Sequence, residues 1–410
     1  MKGFQLRTWG YERMNEWIPF DRLNNIKKIG QGGFSSVYSA TWLDGIRKLD
    51  DNNVRIRESF STVALKTLSD SKKDSHDFLK EFESHAKCNK WGSKLQIYGL
   101  TQNTKTNEYL MVFQYANNGS LYKFLRTNFQ DLTWQTKLKL LKDISDDLCQ
   151  VHKAGYIHSD FHSGNILQNK CMNNIIQSYI SDLGLSKGKD NNDSGSCIYG
   201  VMPYVAPEVL SGQKFTPAAD IYGFGVIMSE ISTGQRPFDG CQFNDELAVK
   251  ICFGLRPEFA SGTPDFYIEL AKQCMDSDPQ KRPTAWNAYS KLQIWNQIMS
   301  GVYNYNPYND DVDYYNPNDY DADEIKKQFL NADKIVKELQ TISPKHPEFM
   351  YTSKIINTQQ ISIIQATLRS KPIDSVEVPL VYLYSIFTMF TEFTDILSYK
   401  AANSNVEEFE

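Results

Sequence analysis

Residues His158 to Leu167 read His-Ser-Asp-Phe-His-Ser-Gly-Asn-Ile-Leu and form the most informative stretch of this 410-residue sequence. The stretch contains a carboxylate and an amide five residues apart, at Asp160 and Asn165. Asp160 is suited to accept the proton of an attacking hydroxyl group, and Asn165 is suited to coordinate a magnesium ion. Because Asp, Asn and Gly are also common turn residues, the interpretation needs support from other segments.

Two other segments carry charged groups of the matching kind. Asp182-Leu-Gly follows an apolar pair and supplies a second oxygen ligand of the hard type that magnesium prefers. Val63-Ala-Leu-Lys66 places a lysine at the end of an apolar strand, where an ammonium group needs an anionic partner. Glu81 follows fifteen residues later on a predicted helix. We therefore predict an ion pair that holds Lys66 toward the phosphates of a nucleotide.

A glycine-rich turn precedes these segments. Residues 30–37 read Gly-Gln-Gly-Gly-Phe-Ser-Ser-Val, which lets backbone N–H groups approach phosphate oxygens without obstruction by Cβ atoms. Alone, this turn is equally typical of an ordinary hairpin. All four segments in this order could hardly arise by chance.

The apolar patterns predict an α+β protein with two lobes. Residues 26–66 predict antiparallel strands with a long polar hairpin loop at 44–58, residues 74–88 a helix, and residues 95–115 two more strands. A small β-rich lobe with one main helix results. Beyond it the patterns predict a larger, mostly helical lobe. Its predicted helices include one through Leu138, Leu141, Ile144, Leu148 and Val151, and others at 215–232, 243–253, 265–275 and 285–298.

Composition narrows the possible partners and compartments. The net charge of -5 gives no global basic field, so we expect no nucleic-acid partner. The N-terminus lacks the apolar core of a signal peptide, and the most apolar stretch, 379–391, is too short to span a membrane. Seven cysteines without C-x-x-C spacing favour reduced thiols, and hence the cytosol or the nucleus.

The chain divides into four predicted parts. Residues 1–22 form an N-terminal segment, 23–298 the catalytic domain, 299–324 a linker rich in Asn, Tyr and Asp, and 325–410 an extension of unknown fold. Residues 303–324 contain seven acidic residues and no basic one, so the linker should stay solvated. The linker and the extension are therefore predicted to be dispensable for catalysis.

Three further motifs complete a resemblance to a known family. They are Ala206-Pro-Glu208, Asp220-Ile-Tyr-Gly-Phe-Gly-Val and Asp278-Pro-Gln-Lys-Arg282-Pro. With them, about two-thirds of the chain resembles the eukaryotic protein kinases, closest to the tyrosine-kinase-like group. The resemblance implies a kinase of intracellular signalling that transfers the γ-phosphoryl group of Mg-ATP to serine or threonine, less often tyrosine, of protein substrates.

The resemblance also assigns the site residues. It makes Asp160, Lys66, Glu81 and Asn165 catalytic, Asn165 and Asp182 the Mg²⁺ ligands, and Glu208 and Arg282 a buried ion pair. It places the hinge at Phe113 to Ala116, with Phe113 beside adenine. The implied ATP-binding residues are Ile29, Gly30, Gln31, Gly32, Gly33, Phe34, Ser35, Val37, Ala64, Lys66, Phe113, Gln114, Ala116 and Leu167.

Several positions depart from the family pattern. Ser35 replaces the third glycine, and Leu183 replaces a phenylalanine. Ser159, His162 and Val201 replace an arginine, a lysine and a threonine, which leaves open a pseudokinase or scaffold that binds ATP and acts through protein interactions. A kinase of small metabolites is a second alternative. The peptide-positioning segment that ends at Glu208 argues against that alternative.

Overall fold

The computed structural model describes residues 10–31, 35–68, 75–171, 175–184, 186–188, 197–301, 321–338 and 344–370. The strands are β1 (Glu16–Trp17), β2 (Leu23–Gln31), β3 (Ser35–Trp42), β4 (Ile46–Leu49), β5 (Arg55–Glu58), β6 (Ser61–Leu68), β7 (Ile97–Gln102), β8 (Tyr109–Gln114), β9 (Tyr156–Ile157), β10 (Ile166–Lys170), β11 (Ile176–Ile180), β12 (Lys187–Gly188), β13 (Cys197–Gly200) and β14 (Lys354–Asn357). The helices are α1 (Ser75–Trp91), α2 (Leu121–Asn128), α3 (Trp134–Lys153), α4 (Pro207–Leu210), α5 (Pro217–Thr233), α6 (Asp245–Cys252), α7 (Asp265–Cys274), α8 (Ala285–Ser300), α9 (Ala322–Glu338) and α10 (Thr358–Ser370).

The smaller lobe is a six-stranded sheet with strand order β1-β7-β8-β6-β3-β2. All neighbouring strands are antiparallel except β1, which pairs in parallel with β7. Phe78 and Phe82 of α1 pack against Ile97, Met111 and Phe113 of the sheet. The predicted β-rich lobe with one main helix is confirmed.

The polar stretch 44–58 differs from the predicted loop, because it contains the paired strands β4 and β5. Most of its side chains are exposed or half-buried, so it has no alternating apolar pattern that would predict strands. Glu16 of β1 binds both strands through ion pairs to Arg47 (3.0 Å) and Arg57 (2.7 Å). The hairpin is thereby attached to the edge of the sheet.

The larger lobe is built around α3 and α5. Leu138, Leu141, Ile144 and Leu148 of α3 are fully buried, as their helical spacing predicts. Thr133 caps this helix, since its side-chain oxygen accepts a hydrogen bond from the backbone N–H of Thr136. The predicted helices of this lobe are confirmed to within a few residues at each end.

The extension packs on the larger lobe. The Phe329 ring of α9 lies 5.2 Å from the Trp134 ring and 5.1 Å from the Phe266 ring, measured between ring centroids. Asp333 Oδ1 accepts a hydrogen bond from the backbone N–H of Trp134 at 2.7 Å. Helix α9 begins at Ala322, within the range predicted as linker. Most of that range, residues 302–320, lies outside the described residues, so the solvated linker stays a prediction.

After α9 the chain reaches the cleft between the lobes. Strand β14 pairs antiparallel with β13, and Ser362 of α10 donates a hydrogen bond to the carbonyl oxygen of Ser211, at 2.9 Å. In the described part of the chain, no helix is both long and apolar enough to cross a membrane. The apolar stretch 379–391 lies outside the described residues.

Candidate active site

Asp220, in the first turn of α5, holds the loop that carries Asp160. Its carboxylate accepts hydrogen bonds from the backbone N–H groups of His158 (2.8 Å) and Ser159 (3.0 Å). The Nε2 atom of His152 lies 2.9 Å from the same carboxylate. Ser159 has a φ of 67°, a left-handed conformation that is costly for a residue with a Cβ atom. The bonds to Asp220 stabilise this conformation and position the loop.

Asp160 is buried, and its two oxygens have different surroundings. Oδ2 accepts hydrogen bonds from Asn165 Nδ2 (3.2 Å) and Ser353 Oγ (2.6 Å), and His162 Nε2 lies 3.6 Å away. Oδ1 is buried, and no described residue forms a hydrogen bond with it. Burial raises the pKa of Asp160, but His162 and the hydroxyl of Ser353 lower it more, so the pKa lies below its usual value. Asp160 is therefore an ionised acceptor aimed at a hydroxyl group.

The His162 ring is oriented by the backbone two residues further along the chain. Its Nδ1 accepts a hydrogen bond from the N–H of Gly164 at 3.1 Å. In the neutral ring the proton is then on Nε2, the atom that faces Asp160. His162 thus supports the carboxylate from the position where the family usually has a lysine.

Lys66 joins two carboxylates across the cleft. Its Nζ lies 2.6 Å from Glu81 Oε1 and 2.7 Å from Asp182 Oδ1. Burial lowers the pKa of Lys66, but Asp182 and Glu81 raise it more, so the group stays charged. Burial raises the pKa of Asp182, but the charge and hydrogen bond of Lys66 lower it by more, so that the pKa falls to about 2. The predicted ion pair with Glu81 is present, and Asp182 is ionised.

The backbone next to Asp182 is hydrogen-bonded to that of Asn165, the other predicted metal ligand. Asp182 has a left-handed φ of 62°, and Ser181 donates from both N–H and Oγ to the carbonyl oxygen of Asn165. A Cβ atom at Gly184 would lie 3.1 Å from Glu81 Oε2 and 3.2 Å from Asp182 Oδ1, so a larger side chain here would crowd both carboxylates. Asp182 therefore lies beside Lys66 on a segment that is bonded to Asn165, and the role of these two residues as magnesium ligands stays a prediction.

Leu183 and His85 connect helix α1 to this segment. Leu183 packs with Cys88, Val151 and Ala154, and its N–H donates to His85 Nε2 at 3.3 Å. Burial lowers the pKa of His85 to about 3, so its ring is neutral and can accept this bond. Leucine thus fills the position where the family usually has phenylalanine.

Several predicted nucleotide-binding residues lie on the strands beside Lys66 or pack against them. Val37 lies opposite Lys66 in the pairing of β3 with β6, and Ala64 lies opposite Phe113. Leu167 packs with the cluster that contains Phe113. The N–H of Gln114 donates to the carbonyl oxygen of Gln96 (2.9 Å), and Gln114 also lies opposite Val63 in the pairing of β6 with β8.

The remaining predicted nucleotide residues divide into two groups. Gly30 and Gln31 pair with β3, which begins at Ser35, Ile29 is exposed, and Ala116 follows β8. Gly32, Gly33 and Phe34 lie outside the described residues. The nucleotide-binding role of both groups, and that of Val37, Ala64, Phe113, Gln114 and Leu167, stays a prediction.

A buried ion pair holds the end of the peptide-positioning segment at Glu208. Arg282 donates to both carboxylate oxygens of Glu208, at 2.8 and 2.6 Å. The same guanidinium donates to the carbonyl oxygens of Ala218 and Asp276. This fork-like geometry fixes the end of the segment to the larger lobe, as the resemblance implies.

Sequence reasoning missed two residues of the site. Asp220 was visible as part of a motif, but nothing in the motif predicts bonds to the loop before Asp160. Ser353 lies 193 residues from Asp160 along the chain, and no local pattern indicates that they meet. Among the described residues, no group of three or more His, Cys, Asp or Glu side chains could hold a metal ion.

The comparison with known proteins agrees with this geometry. The family model described as "Protein tyrosine and serine/threonine kinase" matches residues 23–292. The chain belongs to this protein kinase family, and the resemblance read from its motifs is confirmed.

Curated relatives are similar over the same region. "Probable serine/threonine-protein kinase roco5" of Dictyostelium discoideum is 30% identical over 70% of this chain and 10% of its own length. "Probable serine/threonine-protein kinase roco7" of the same organism is 26% identical over 70% of this chain and 11% of its own length. "Tyrosine protein-kinase src-1" of Caenorhabditis elegans is 24% identical over 67% of this chain and 49% of its own length. The similarity therefore covers a minor part of each relative.

Proposed function

We propose that this protein is a protein kinase that transfers the γ-phosphoryl group of ATP to serine or threonine hydroxyls of protein substrates. The observation that carries the proposal is the pairing of Lys66 with both Glu81 and Asp182, together with an ionised Asp160 in the catalytic loop. A pseudokinase would need none of these charges in catalytic geometry. The departures at Ser159, His162 and Val201 remove neither the base nor a metal ligand.

The residues present fit ATP with Mg²⁺. Asp182 and Asn165 would hold the metal through oxygen atoms, and the metal would neutralise charge on the phosphates. Lys66 would hold the α- and β-phosphates. Asp160 would orient the acceptor hydroxyl and take its proton, assisted by His162 and Asn165. Positioning and charge neutralisation would thus supply most of the rate.

Serine or threonine is the expected acceptor, because residues 200–208 resemble the serine/threonine version of the substrate-binding loop. Two of the relatives described above also carry serine/threonine kinase names. None of the seven cysteines forms a disulfide bond, which favours the cytosol or the nucleus as the compartment.

The test is phosphate transfer to a generic protein substrate, followed by phosphoamino-acid analysis. Asp182→Asn should lower kcat by about 100-fold or more, because a neutral amide cannot fix a divalent cation as a carboxylate does. Asp51→Asn, in an exposed turn, is the matched control and should keep wild-type activity. If Asp182→Asn retains more than about a tenth of wild-type kcat, a barrier change of only ~1.4 kcal/mol, the metal-binding role is wrong.

A further inference from the structure

The segment after α9 lies where a kinase would bind its substrate. Strand β14 pairs with β13 in the register Cys197 to Asn357, Ile198 to Ile356, Tyr199 to Ile355 and Gly200 to Lys354. Strand β13 belongs to the loop between Asp182 and Glu208, which positions the acceptor peptide in the proposed function. The protein therefore adds a strand of its own chain to its substrate-binding surface.

This pairing brings a serine hydroxyl to the proposed base. Ser353 immediately precedes β14, and its Oγ donates to Asp160 Oδ2 at 2.6 Å. A general base needs a distance of about 2.6 to 3.2 Å to the atom whose proton it takes. The short side chain of Ser353 meets this requirement with the backbone held by β13.

Contacts before Ser353 hold the segment in place. The backbone N–H groups of Lys345 and His346 both donate to the carboxylate of Asp239, at 2.8 Å each. The hydroxyl of Tyr351 donates to the carbonyl oxygen of Pro237 at 3.0 Å. The approach to the catalytic loop is thus a packed part of the fold.

Contacts after Ser353 also hold the segment in place. Ile356 and Ile361 are buried in the core of the larger lobe. Ser211 Oγ donates to Gln365 Oε1 at 3.0 Å. Since both flanks are anchored, little conformational entropy is lost when Ser353 meets Asp160, which favours reaction within one chain.

We propose that Ser353 is a phosphorylation site of the chain's own kinase domain, modified by intramolecular transfer. The proposal rests on the kinase activity proposed above. Ser353 Oγ attacks the γ-phosphorus of ATP, the bond from that phosphorus to the β,γ-bridging oxygen breaks, and ADP leaves. Asp160 takes the hydroxyl proton, and the product is phosphoserine at position 353.

The first experiment uses the full chain after phosphatase treatment. After addition of Mg-ATP, mass spectrometry should find phosphate on Ser353 in the wild type. It should find none at this position in Ser353→Ala, whereas Thr352→Ala should keep it. The initial rate per chain should be independent of protein concentration. An isotopically labelled Asp182→Asn chain, mixed with wild type, should stay unmodified at Ser353.

Two results would overturn the inference while the proposed function stands. If the wild type phosphorylates a generic protein but never Ser353, then β14 only blocks the site. If the labelled Asp182→Asn chain is modified as fast as the wild type, the transfer occurs between molecules. Absence of transfer to any substrate would instead refute the kinase activity itself.

A second experiment tests the pairing without nucleotide. Ile356 is 5% exposed, whereas its neighbour Ile355 is 61% exposed. Ile356→Asp should release β14, speed amide hydrogen exchange at 197–200 and slow Ser353 phosphorylation by about tenfold or more. Ile355→Asp should leave both unchanged, and exchange in α3 reports whether the fold is intact. Unchanged exchange and phosphorylation in Ile356→Asp would contradict the proposed role of this pairing.

Discussion

Lys137 is a buried lysine of α3 whose ammonium has no hydrogen-bond partner within the part of the chain that the structure describes. Its Nζ lies 4.1 Å from the centroid of the Phe129 ring and 5.0 Å from that of the Trp134 ring. Burial lowers the pKa of Lys137 from its usual 10.5 to about 7, while Asp333 raises it by less. The cost of burying the charge therefore exceeds the attraction of the nearby groups.

Lys137→Met should stabilise the protein at pH 7, by about 1–3 kcal/mol, because it removes an unsatisfied buried donor. In the wild type, unfolding takes up a proton between about pH 7 and pH 10.5, so stability should rise with pH across this range. The variant should lose this part of the pH dependence. Urea unfolding at pH 7, 8 and 9 measures both effects.

Lys272→Met is the matched control, because Lys272 is exposed on α7. It should leave both the free energy of unfolding and its pH dependence close to wild type. A Lys137→Met variant less stable than wild type at pH 7 would show that the aromatic rings stabilise the charge enough to offset its burial.

Helix α9 shows how a surface helix becomes part of the core. Phe329 is fully buried among Trp134, Phe266 and Trp295, whereas the next residue, Leu330, is 47% exposed. The helix therefore has a buried aromatic position and a solvent-facing position side by side. These two positions separate the contribution of packing from that of helix propensity.

Phe329→Ala should destabilise the protein by about 3–5 kcal/mol, because it leaves a cavity between three aromatic rings. Leu330→Ala should change stability by roughly 0.5 kcal/mol or less. Thermal or urea unfolding of the two variants measures the difference. Equal effects would mean that α9 does not pack on α3 and α7 in solution.

The described parts of the extension contact the larger lobe at three places. Helix α9 covers Trp134, residues 344–351 lie against residues 236–243, and α10 contacts Ser211. Composition alone predicts that the extension is dispensable for catalysis. The packing predicts that it contributes to the stability of the lobe.

A chain that ends at Ser300 should therefore unfold at a lower temperature than the full chain, by roughly 5–10 °C. It would expose the faces of Trp134, Phe266 and Trp295 that contact Phe329. Calorimetry of the two chains measures the change. An unchanged unfolding temperature would mean that the contacts of α9 and α10 add no stability.

The protein kinase family could be predicted from sequence because its chemistry lies in short local motifs. Lys66, Asp160, Asn165 and Asp182 each occupy a strand end or a turn whose pattern is visible within a few residues. The fold class could be predicted because the spacing of apolar residues changes from a strand pattern in the first lobe to a helical pattern in the second. The hairpin β4–β5 was not predicted, because its strands bury too few apolar side chains to show an alternating apolar pattern.

The contacts of the extension depend on packing between residues distant in the chain. Trp134 and Asp333 are 199 residues apart, and Asp160 and Ser353 are 193 residues apart. Neither pair has a spacing or motif that indicates contact. Strand β14 meets Asp160 because buried side chains on both of its flanks, such as Phe329 and Ile361, fix where the chain returns to the cleft. Such positions result from the summed burial of many side chains, which no local pattern contains.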